Sequence, residues 1–309
     1  MNMNRKLSAA ATLLSALTAS NAMGQVSNWT NSAGGTWNVF GNWDAGIPMT
    51  TGQSAVFGLG SPYGVSISTI SPTIDELHIT NPDVTLVVVP GRTLGLAGAT
   101  STNNGLIDLN ITGSSANSII RIDNAHTMNG TGAIRLRTLG DNARIDGPGT
   151  LTNGAAHTIR GVGQINAPVT NNGLITGDIS VSLSGNTLEI QSDVTNNAFM
   201  RAEATSILGL EGTTIDQTGG GSIVAADAGS VNVNNLGATI LGGTVGTEGT
   251  GEFNIAGGGA ATFDSVTSTG FIDVDPSGNL NITGAGLLND GVIMLNRTGS
   301  SANSVLTFV

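Results

Sequence analysis

Thr102-Asn103-Asn104-Gly105-Leu106-Ile107 returns as Thr170-Asn171-Asn172-Gly173-Leu174-Ile175, and this repeated signature decides the fold. In each copy, Asn-Gly is typical of a turn that needs a positive φ, and the apolar residues after it are typical of a short strand. Further copies with some drift occur at residues 152–154, 195–200, 234–237, 268–272 and 289–293. Single spacings near 20 residues predict a chain that is built from repeated coils.

Two longer repeats favour a nearly constant coil length. Arg121-Ile122-Asp123 recurs as Arg144-Ile145-Asp146 at an offset of about 23 residues. Residues 102–123 align without gaps on residues 288–309, and both copies contain Thr-Gly-Ser-Ser-Ala-Asn-Ser. The offset between these two copies corresponds to about nine coils of roughly 21 residues.

Composition and patterning predict an all-β chain. The sequence contains 46 glycines and, after its N-terminus, no sustained i, i+3, i+4 apolar pattern; each glycine inside a helix would cost about 1 kcal/mol. One pair of short strands is too small to bury its own apolar face, so coils must stack. We therefore predict a right-handed parallel β-helix, that is, a β-solenoid with coils of about 20–23 residues. The alternative is a tandem β-sandwich, which has similar short strands but does not predict the repeat period.

The N-terminus has the features of a secretory signal peptide. Arg5 and Lys6 precede an apolar stretch at residues 7–17 and the small-residue cleavage pattern Ser20-Asn21-Ala22. The apolar stretch is shorter than the roughly 20 residues of a transmembrane helix. We expect the protein to be secreted, extracellular or on the outer cell surface. The predicted organisation is a signal peptide at residues 1–22, a Trp-rich N-terminal cap at residues 23–64 and solenoid repeats at residues 65–309.

Charge and residue usage narrow the classes of partner and cofactor. The net charge is −11, and removal of Arg5 and Lys6 takes it to −13, so neither nucleic acid nor an anionic membrane surface is an expected partner. The chain has no cysteine and therefore no disulfide. The histidines, His78, His126 and His157, are widely separated, so we predict no metal site and no cofactor. We expect His126 and His157 to be solvated turn residues.

The N-terminal segment of the mature chain carries a family resemblance. Trp29, Gly34-Gly35-Thr36-Trp37, Gly41-Asn42-Trp43 and Gly46-Ile47-Pro48 precede alternating strands and Asn-x-Gly-x-Ile coils. This order resembles autotransporter-passenger-like and PEP-CTERM-type bacterial exoproteins. The resemblance implies a secreted β-solenoid with a structural or adhesive function. The sequence departs from those families because neither a β-barrel translocator nor a C-terminal sorting signal is seen in it.

The last residues, Ser304-Val305-Leu306-Thr307-Phe308-Val309, break off within a strand pattern, whereas the earlier copy of this repeat continues into another coil. Natural proteins usually cover such an apolar strand edge. We expect either a truncated reading frame or an edge that a partner covers, with end-to-end self-association through residues 287–309.

A group of arginines is the strongest candidate for a ligand-binding surface. Stacking with the period of the Arg-Ile-Asp repeat would place Arg121 beside Arg144 and Arg137 beside Arg160, next to Asp123 and Asp146. Such a face could bind an acidic sugar, or calcium through the aspartates. The alternative is a set of exposed Arg–Asp ladders that bridge coils and contribute little to stability. The candidate residues lie within forty positions of one another: Arg121, Arg135, Arg137, Arg144 and Arg160.

Two further features have both a functional and a structural interpretation. Asp273-Val274-Asp275-Pro276-Ser277-Gly278 offers closely spaced oxygens for calcium, but it lacks the glutamate and spacing of an EF-hand, so we expect a turn. Trp29, Trp37 and Trp43 could stack on carbohydrate, but we expect them to plug the open end of the core. No Gly-x-Ser-x-Gly motif supports acyl transfer, and no catalytic residue is predicted.

The sequence as a whole predicts a secreted or surface-exposed structural or adhesive β-solenoid that is not an enzyme. Its expected partners are extracellular polysaccharide and cell-surface or matrix components. The alternative is a β-helical protein that binds or cleaves polysaccharide. An enzyme of that kind would need long inserted loops around a cleft, and the loops of this sequence are short and uniform.

Overall fold

The chain folds as a parallel β-solenoid of about 11 turns. The computed structural model describes residues 24–138 and 142–309, so the predicted signal peptide lies outside the described residues. Within those two segments, all pairings between strands are parallel, and only the isolated bridge between Trp29 and Trp43 is antiparallel. The predicted β-solenoid is therefore confirmed. The tandem β-sandwich is excluded, because its sheets would be antiparallel.

Each complete coil contributes one strand to each of three parallel sheets, which we call the first, second and third sheets. The strands of the first sheet are Gln25–Asn28, Gln53–Phe57, Glu76–Ile79, Thr100–Asn103, His126–Asn129, Leu151–Asn153, Val169–Asn171, Val194–Asn196, Thr213–Asp216, Ala238–Leu241, the first halves of Ala260–Ser268 and Asn279–Asn289, and Val305–Phe308. The strands of the second sheet are Gly35–Thr36, Tyr63–Ile67, Val84–Val88, Leu106–Leu109, Ala133–Arg137, the first half of Thr158–Ile165, Leu174–Gly177, Phe199–Ala202, Ser222–Ala225, Thr244–Thr247, and the second halves of Ala260–Ser268 and Asn279–Asn289. The strands of the third sheet are Thr73–Ile74, Arg92–Leu96, Ser118–Ile122, Ala143–Asp146, the second half of Thr158–Ile165, Thr187–Ile190, Ile207–Leu210, Ser230–Val233, Glu252–Ile255, Phe271–Val274 and Val292–Leu295. Short 3-10 helices lie at Phe40–Asn42 and Ile179–Val181.

The length of a coil varies more than the repeats predict. Thr158 pairs with Leu174 across a short coil, whereas Gly35 pairs with Val65 across a coil that is nearly twice as long. The predicted coil length falls between these two extremes, but the length is not constant. Most strands keep a similar, short length, so the turns between them absorb the difference.

The two copies of the long repeat, residues 102–123 and 288–309, occupy different sheets. Asn110 and Asn296 have φ values of 58° and 52°, and the side-chain oxygen of each accepts a backbone N–H from four residues ahead at 2.9 Å. The strand before Asn110 lies in the second sheet, but the strand before Asn296 lies in the third. From the first copy to the second, the chain passes through eight coils and then continues to the next strand, which belongs to another sheet. The predicted separation of nine whole coils is therefore not observed. A loop that its own asparagine closes therefore occurs at two different corners of the solenoid.

A ladder of amides runs through the otherwise apolar core. The first asparagine of each Thr-Asn-x-Gly copy points inward, where Asn153 Nδ2 donates to Asn171 Oδ1 at 2.8 Å and Asn171 Nδ2 donates to Asn196 Oδ1 at 2.8 Å. Asn196 Nδ2 continues the ladder to Gln217 Oε1 at 3.0 Å. Each asparagine also donates to a backbone carbonyl of the next coil, as Asn171 does to Phe199 at 3.0 Å. These buried amides are therefore satisfied, as a low-dielectric core requires.

The glycine of the signature has a different role from the predicted one. Gly105 and Gly173 are not among the residues with positive φ. A Cβ on Gly105 would collide with the carbonyl oxygen of Val84, and a Cβ on Gly173 would collide with that of Gly154. Glycine is required here because the backbone of the neighbouring coil approaches closely, not because the turn is left-handed.

Three tryptophans fill the core at the N-terminal end of the described chain. Trp43 packs edge-on against Trp29 and Trp37, with ring centroids 5.1 Å and 5.0 Å apart, and Phe57 lies 5.4 Å from Trp43. Each indole N–H donates to a backbone carbonyl, such as Trp37 Nε1 to Pro48 at 2.9 Å. All three rings are buried, so none of them is available for stacking on carbohydrate.

Candidate functional site

The structure divides the five candidate arginines between two sheets: Arg135, Arg137 and Arg160 lie on the outer side of the second, and Arg121 and Arg144 on that of the third. The strand register pairs Arg121 with Asp146 and Arg135 with Arg160. The predicted stacking of Arg121 on Arg144 and of Arg137 on Arg160 is wrong, because the coil here is longer than the offset of the Arg-Ile-Asp repeat. A shift of two residues keeps the same side chains inward, so the apolar alternation cannot reveal it.

The arginines of the second sheet are bound to carboxylates of neighbouring coils. Asp108 is buried, and its Oδ1 accepts from Arg135 Nε at 3.0 Å while its Oδ2 accepts from Arg137 Nη1 at 3.4 Å. Arg160 forms an ion pair with Asp178, which lies in the next coil. These contacts tie successive coils together through charge-assisted hydrogen bonds.

Each arginine of the third sheet pairs with the aspartate two residues after it, at or just past the end of its own strand. Arg121 Nε lies 2.6 Å from Asp123 Oδ1, and Arg144 Nε lies 3.3 Å from Asp146 Oδ2. The five guanidinium groups thus face carboxylates and are split between two sheets. This geometry favours structural ion pairs over one cationic face, and binding of an acidic sugar at these residues stays a prediction. In the part of the chain that the structure describes, no three histidine or carboxylate side chains gather at a possible metal site.

His126 and His157 are buried in the core, which corrects the prediction of solvated turn residues. His157 joins the amide ladder: its Nδ1 donates to Asn153 Oδ1 at 2.7 Å, and its Nε2 accepts from Asn103 Nδ2 at 3.1 Å. Burial lowers the pKa of His157 to about 4. His126 Nδ1 donates to the carbonyl oxygen of Gly98 at 2.7 Å, and burial lowers its pKa as well. His126 occupies an inward position of the strand His126–Asn129, whereas His157 lies in the turn before the strand Thr158–Ile165.

The segment 273–278 is partly strand and partly turn. Asp273 belongs to the strand Phe271–Val274, is buried, and pairs with Arg297 at 2.9 Å. Burial raises the pKa of this carboxyl group. The expected turn follows it, where the N–H of Gly278 donates to the carbonyl of Asp275 at 2.8 Å. Asp275 Oδ2 accepts from Asn254 Nδ2 at 3.3 Å, so the two carboxylates of the segment face different partners.

A groove of about 480 Å³ on the second sheet was not predicted. Phe199 stands on its floor with 62% of its surface exposed, stacked on Leu174 of the preceding coil. Arg201 lies two residues after Phe199 on the same strand, and Glu248 lies two coils further along the axis. Both line the groove and form a two-fold ion pair, with Nη1 to Oε1 at 3.1 Å and Nη2 to Oε2 at 2.7 Å. Hydrogen bonds from Arg201 hold the pKa of Glu248 below its usual value. Arg201 Nε also lies 3.2 Å from Glu203.

The sequence did contain a signal for this groove. Phe199 occupies the position that Leu106 and Leu174 hold in other copies of the signature, so it is an apolar residue of a repeat. It precedes Met200, which is buried, and the alternation of a strand therefore points the phenyl ring outward. An aromatic residue in the outward phase is the feature that distinguishes this copy.

Searches against protein-family models, curated proteins and solved structures found no match to this chain. The resemblance to autotransporter-passenger-like and PEP-CTERM-type exoproteins therefore stays a prediction. Over residues 24–138 and 142–309, the structure contains no helix of the length and apolarity needed to cross a membrane.

Proposed function

We propose that this protein is a secreted or surface-exposed structural or adhesive solenoid that is not an enzyme. The observation that carries the proposal is a column of threonines on the outer side of the first sheet. Strand register stacks these threonines over five successive coils: Thr100, Thr127, Thr152, Thr170 and Thr195. Their neighbours in sequence, such as Met128 and Asn171, are buried, so the hydroxyl groups face outward.

Repetition gives such a column its binding strength. Neighbouring strands lie about 4.8 Å apart, so the hydroxyls recur at that interval along the solenoid axis. Each hydroxyl both donates and accepts a hydrogen bond, and each contact alone is weak. A polymer with its own repeated hydroxyls engages many of them at once, and the linked contacts raise the overall affinity. Extracellular polysaccharide and matrix components have this chemistry.

The charged side chains support a structural role for the rest of the surface. Asp108 and Asp178 hold arginines of adjacent coils, and Arg297 links Asp273 to Glu252 of the coil before it. These bridges stiffen the stack instead of leaving cations exposed to a substrate. A rigid rod with weak, repeated contacts is suited to act as a spacer or an adhesin.

Self-association is the second part of the proposal. The coil formed by residues 287–309 exposes several apolar side chains, and Phe308 is 75% exposed. A second copy that pairs with the strand Val305–Phe308 would satisfy its edge and cover these side chains. The remaining members of this apolar surface are Leu288, Val292, Met294, Leu295, Val305 and Val309.

The test uses the full chain, produced in a Gram-negative host, with three readouts. Cell fractionation and surface labelling report its location, binding to immobilised polysaccharides and matrix proteins reports adhesion, and a reducing-sugar assay reports cleavage. We expect surface or medium location, adhesion without product, and several-fold weaker adhesion when Thr152, Thr170 and Thr195 are all changed to Val. Thr187→Val on the third sheet is the matched control. Cytoplasmic retention, or release of oligosaccharides, would contradict the proposal.

A further inference from the structure

The groove around Phe199 has the chemistry of a carbohydrate subsite. We propose that it binds a neutral polysaccharide segment, with the phenyl ring of Phe199 as the platform and the Arg201–Glu248 pair as the polar wall. This inference rests on the proposed adhesive function and names a ligand class and a site for it. The site is separate from the five arginines discussed above and from the threonine column of the first sheet.

The apolar platform is local. The outward positions that stack with Phe199 on the second sheet are Thr158 and Leu174 before it, and Ser222 and Thr244 after it. An exposed phenyl ring therefore interrupts a mostly polar column. Leu174 and the neighbouring Val224 extend the apolar surface, and both line the groove. Covering an exposed aromatic ring with an apolar surface favours binding, because it removes the ring from water. The C–H face of a pyranose ring is a flat apolar surface that can cover it in this way.

The polar wall of the groove favours a neutral ligand over an acidic one. Arg201 is engaged by both Glu248 and Glu203, so this part of the groove carries no excess positive charge. The guanidinium group has five N–H donors, three of which are used in these contacts, and the carboxylate of Glu248 retains acceptor capacity. Sugar hydroxyls both donate and accept, so they match such a wall. The carboxylates of an acidic sugar would be repelled by the two glutamates.

The extent of the groove fits a polymer. Its lining runs from Thr158 to Glu248, and their coils are four strand steps of about 4.8 Å apart on the second sheet, or about 19 Å in all. The last lining residue, Glu248, follows the strand Thr244–Thr247. The volume of about 480 Å³ lies within the usual range of ligand sites. A chain of sugars that lies along the solenoid axis would contact the platform and the wall together.

The experiment compares the full-length wild-type chain with Phe199→Ala, Phe199→Trp and Leu236→Ala. Leu236 is the matched control, because it is 73% exposed and does not line the groove. The probes are hydroxyethylcellulose, laminarin, galactomannan and the acidic polymer alginate, measured by affinity electrophoresis and biolayer interferometry at low and high salt. We expect wild type to bind at least one neutral probe with little salt dependence. Phe199→Ala should weaken this binding roughly tenfold, while Phe199→Trp and Leu236→Ala should retain it.

The outcomes distinguish failure of the groove proposal from failure of the proposed adhesive function. Equal binding of a neutral probe by wild type and Phe199→Ala overturns the groove proposal and leaves the adhesive function standing. A wild-type chain that binds no neutral probe, or binds alginate more tightly in a salt-dependent way, also overturns it. The adhesion assay on the same preparation then decides whether the proposed function fails too. Because Phe199 is largely exposed, Phe199→Ala should keep the far-UV circular dichroism of the wild type, and this check shows that lost binding is not lost folding.

Discussion

His157 should make this solenoid sensitive to mild acid. Its imidazole is 1% exposed and fills the gap in the amide ladder between Asn103 and Asn153. Because Nδ1–H donates to Asn153, Nε2 must accept from Asn103, and a proton on Nε2 would place two donors face to face. Asn103 cannot rotate to relieve this conflict. Its Nδ2 also donates to the carbonyl of Ala133 at 3.1 Å, and its Oδ1 accepts from the N–H of Gly105 at 3.1 Å.

The size of the effect follows from the shift of the His157 pKa. Burial lowers it from 6.5 to about 4, so the unfolded chain takes up a proton near pH 6.5 that the folded protein resists until about pH 4. The stabilising contribution is therefore complete above pH 6.5 and declines as the pH falls toward about 4. One pKa unit corresponds to about 1.4 kcal/mol, so the free energy of unfolding should fall by about 2.5 kcal/mol between about pH 7.5 and about pH 4.5. His126 adds a loss in the same direction, because burial also lowers its pKa.

The change His157→Gln isolates this contribution. Urea unfolding followed by far-UV circular dichroism, at the two pH values, gives the acid-induced loss in the free energy of unfolding for wild type and His157→Gln. The other titrating groups are common to both chains. The loss should be about 2.5 kcal/mol smaller in His157→Gln than in wild type. Equal losses in wild type and His157→Gln would refute the reasoning, as would a directly titrated His157 pKa near 6.5 by NMR.

Three other substitutions test the core, the ion pairs and the exposed end. Asp108→Ala removes the buried carboxylate that two arginines share, so urea titration should show that the free energy of unfolding falls by about 2–4 kcal/mol. Asp123→Ala, which removes the partner of an exposed arginine, should lower it by less than about 1 kcal/mol. Trp37→Ala leaves a cavity in the N-terminal core and should cost about 3–5 kcal/mol in the same assay; a smaller loss than about 1 kcal/mol would contradict its role in the core. Phe308→Ser should shift sedimentation velocity profiles toward monomer, whereas an unchanged profile would argue against self-association through that strand.

The fold class was predictable because it depends on local patterns. Asn-x-Gly followed by Leu and Ile marks a turn and a strand in copies such as residues 102–107 and 170–175, and the structure places a strand after each turn. Coil length was less predictable. It depends on turns whose lengths differ from coil to coil, so the repeated Arg-Ile-Asp triplet does not stack on itself. A change of two residues in coil length leaves each side chain on the same inward or outward face, so the apolar pattern of the sequence does not reveal it.

The candidate site was harder to predict because polar residues in turns and polar residues in a core have the same sequence appearance. His157 follows Gly154-Ala155-Ala156, which is typical of an exposed turn, yet its ring bridges two members of the amide ladder. Asn153 lies 4 residues before it in the same coil, but Asn103 lies 54 residues away, and only the stacking of coils brings Asn103 close. Phe199 is the opposite case, because it is an apolar residue of the repeat, and only its outward phase in the strand indicates that it is exposed.

In the Thr-Asn-x-Gly signature, the alternation of the strand places the residue that stabilises the core inward and the residue of the proposed binding surface outward. At Thr170-Asn171, the asparagine faces inward and completes the ladder, while the threonine faces outward and extends the hydroxyl column. An inward residue is constrained by partners in two other coils, as Asn171 is by Asn153 and Asn196. The outward apolar residues of the signature have no such polar partners, and the same outward position holds Leu174 in one coil and Phe199 in the next. The solenoid can therefore carry a ligand groove on one stretch of its surface without any change to the ladder that stabilises it.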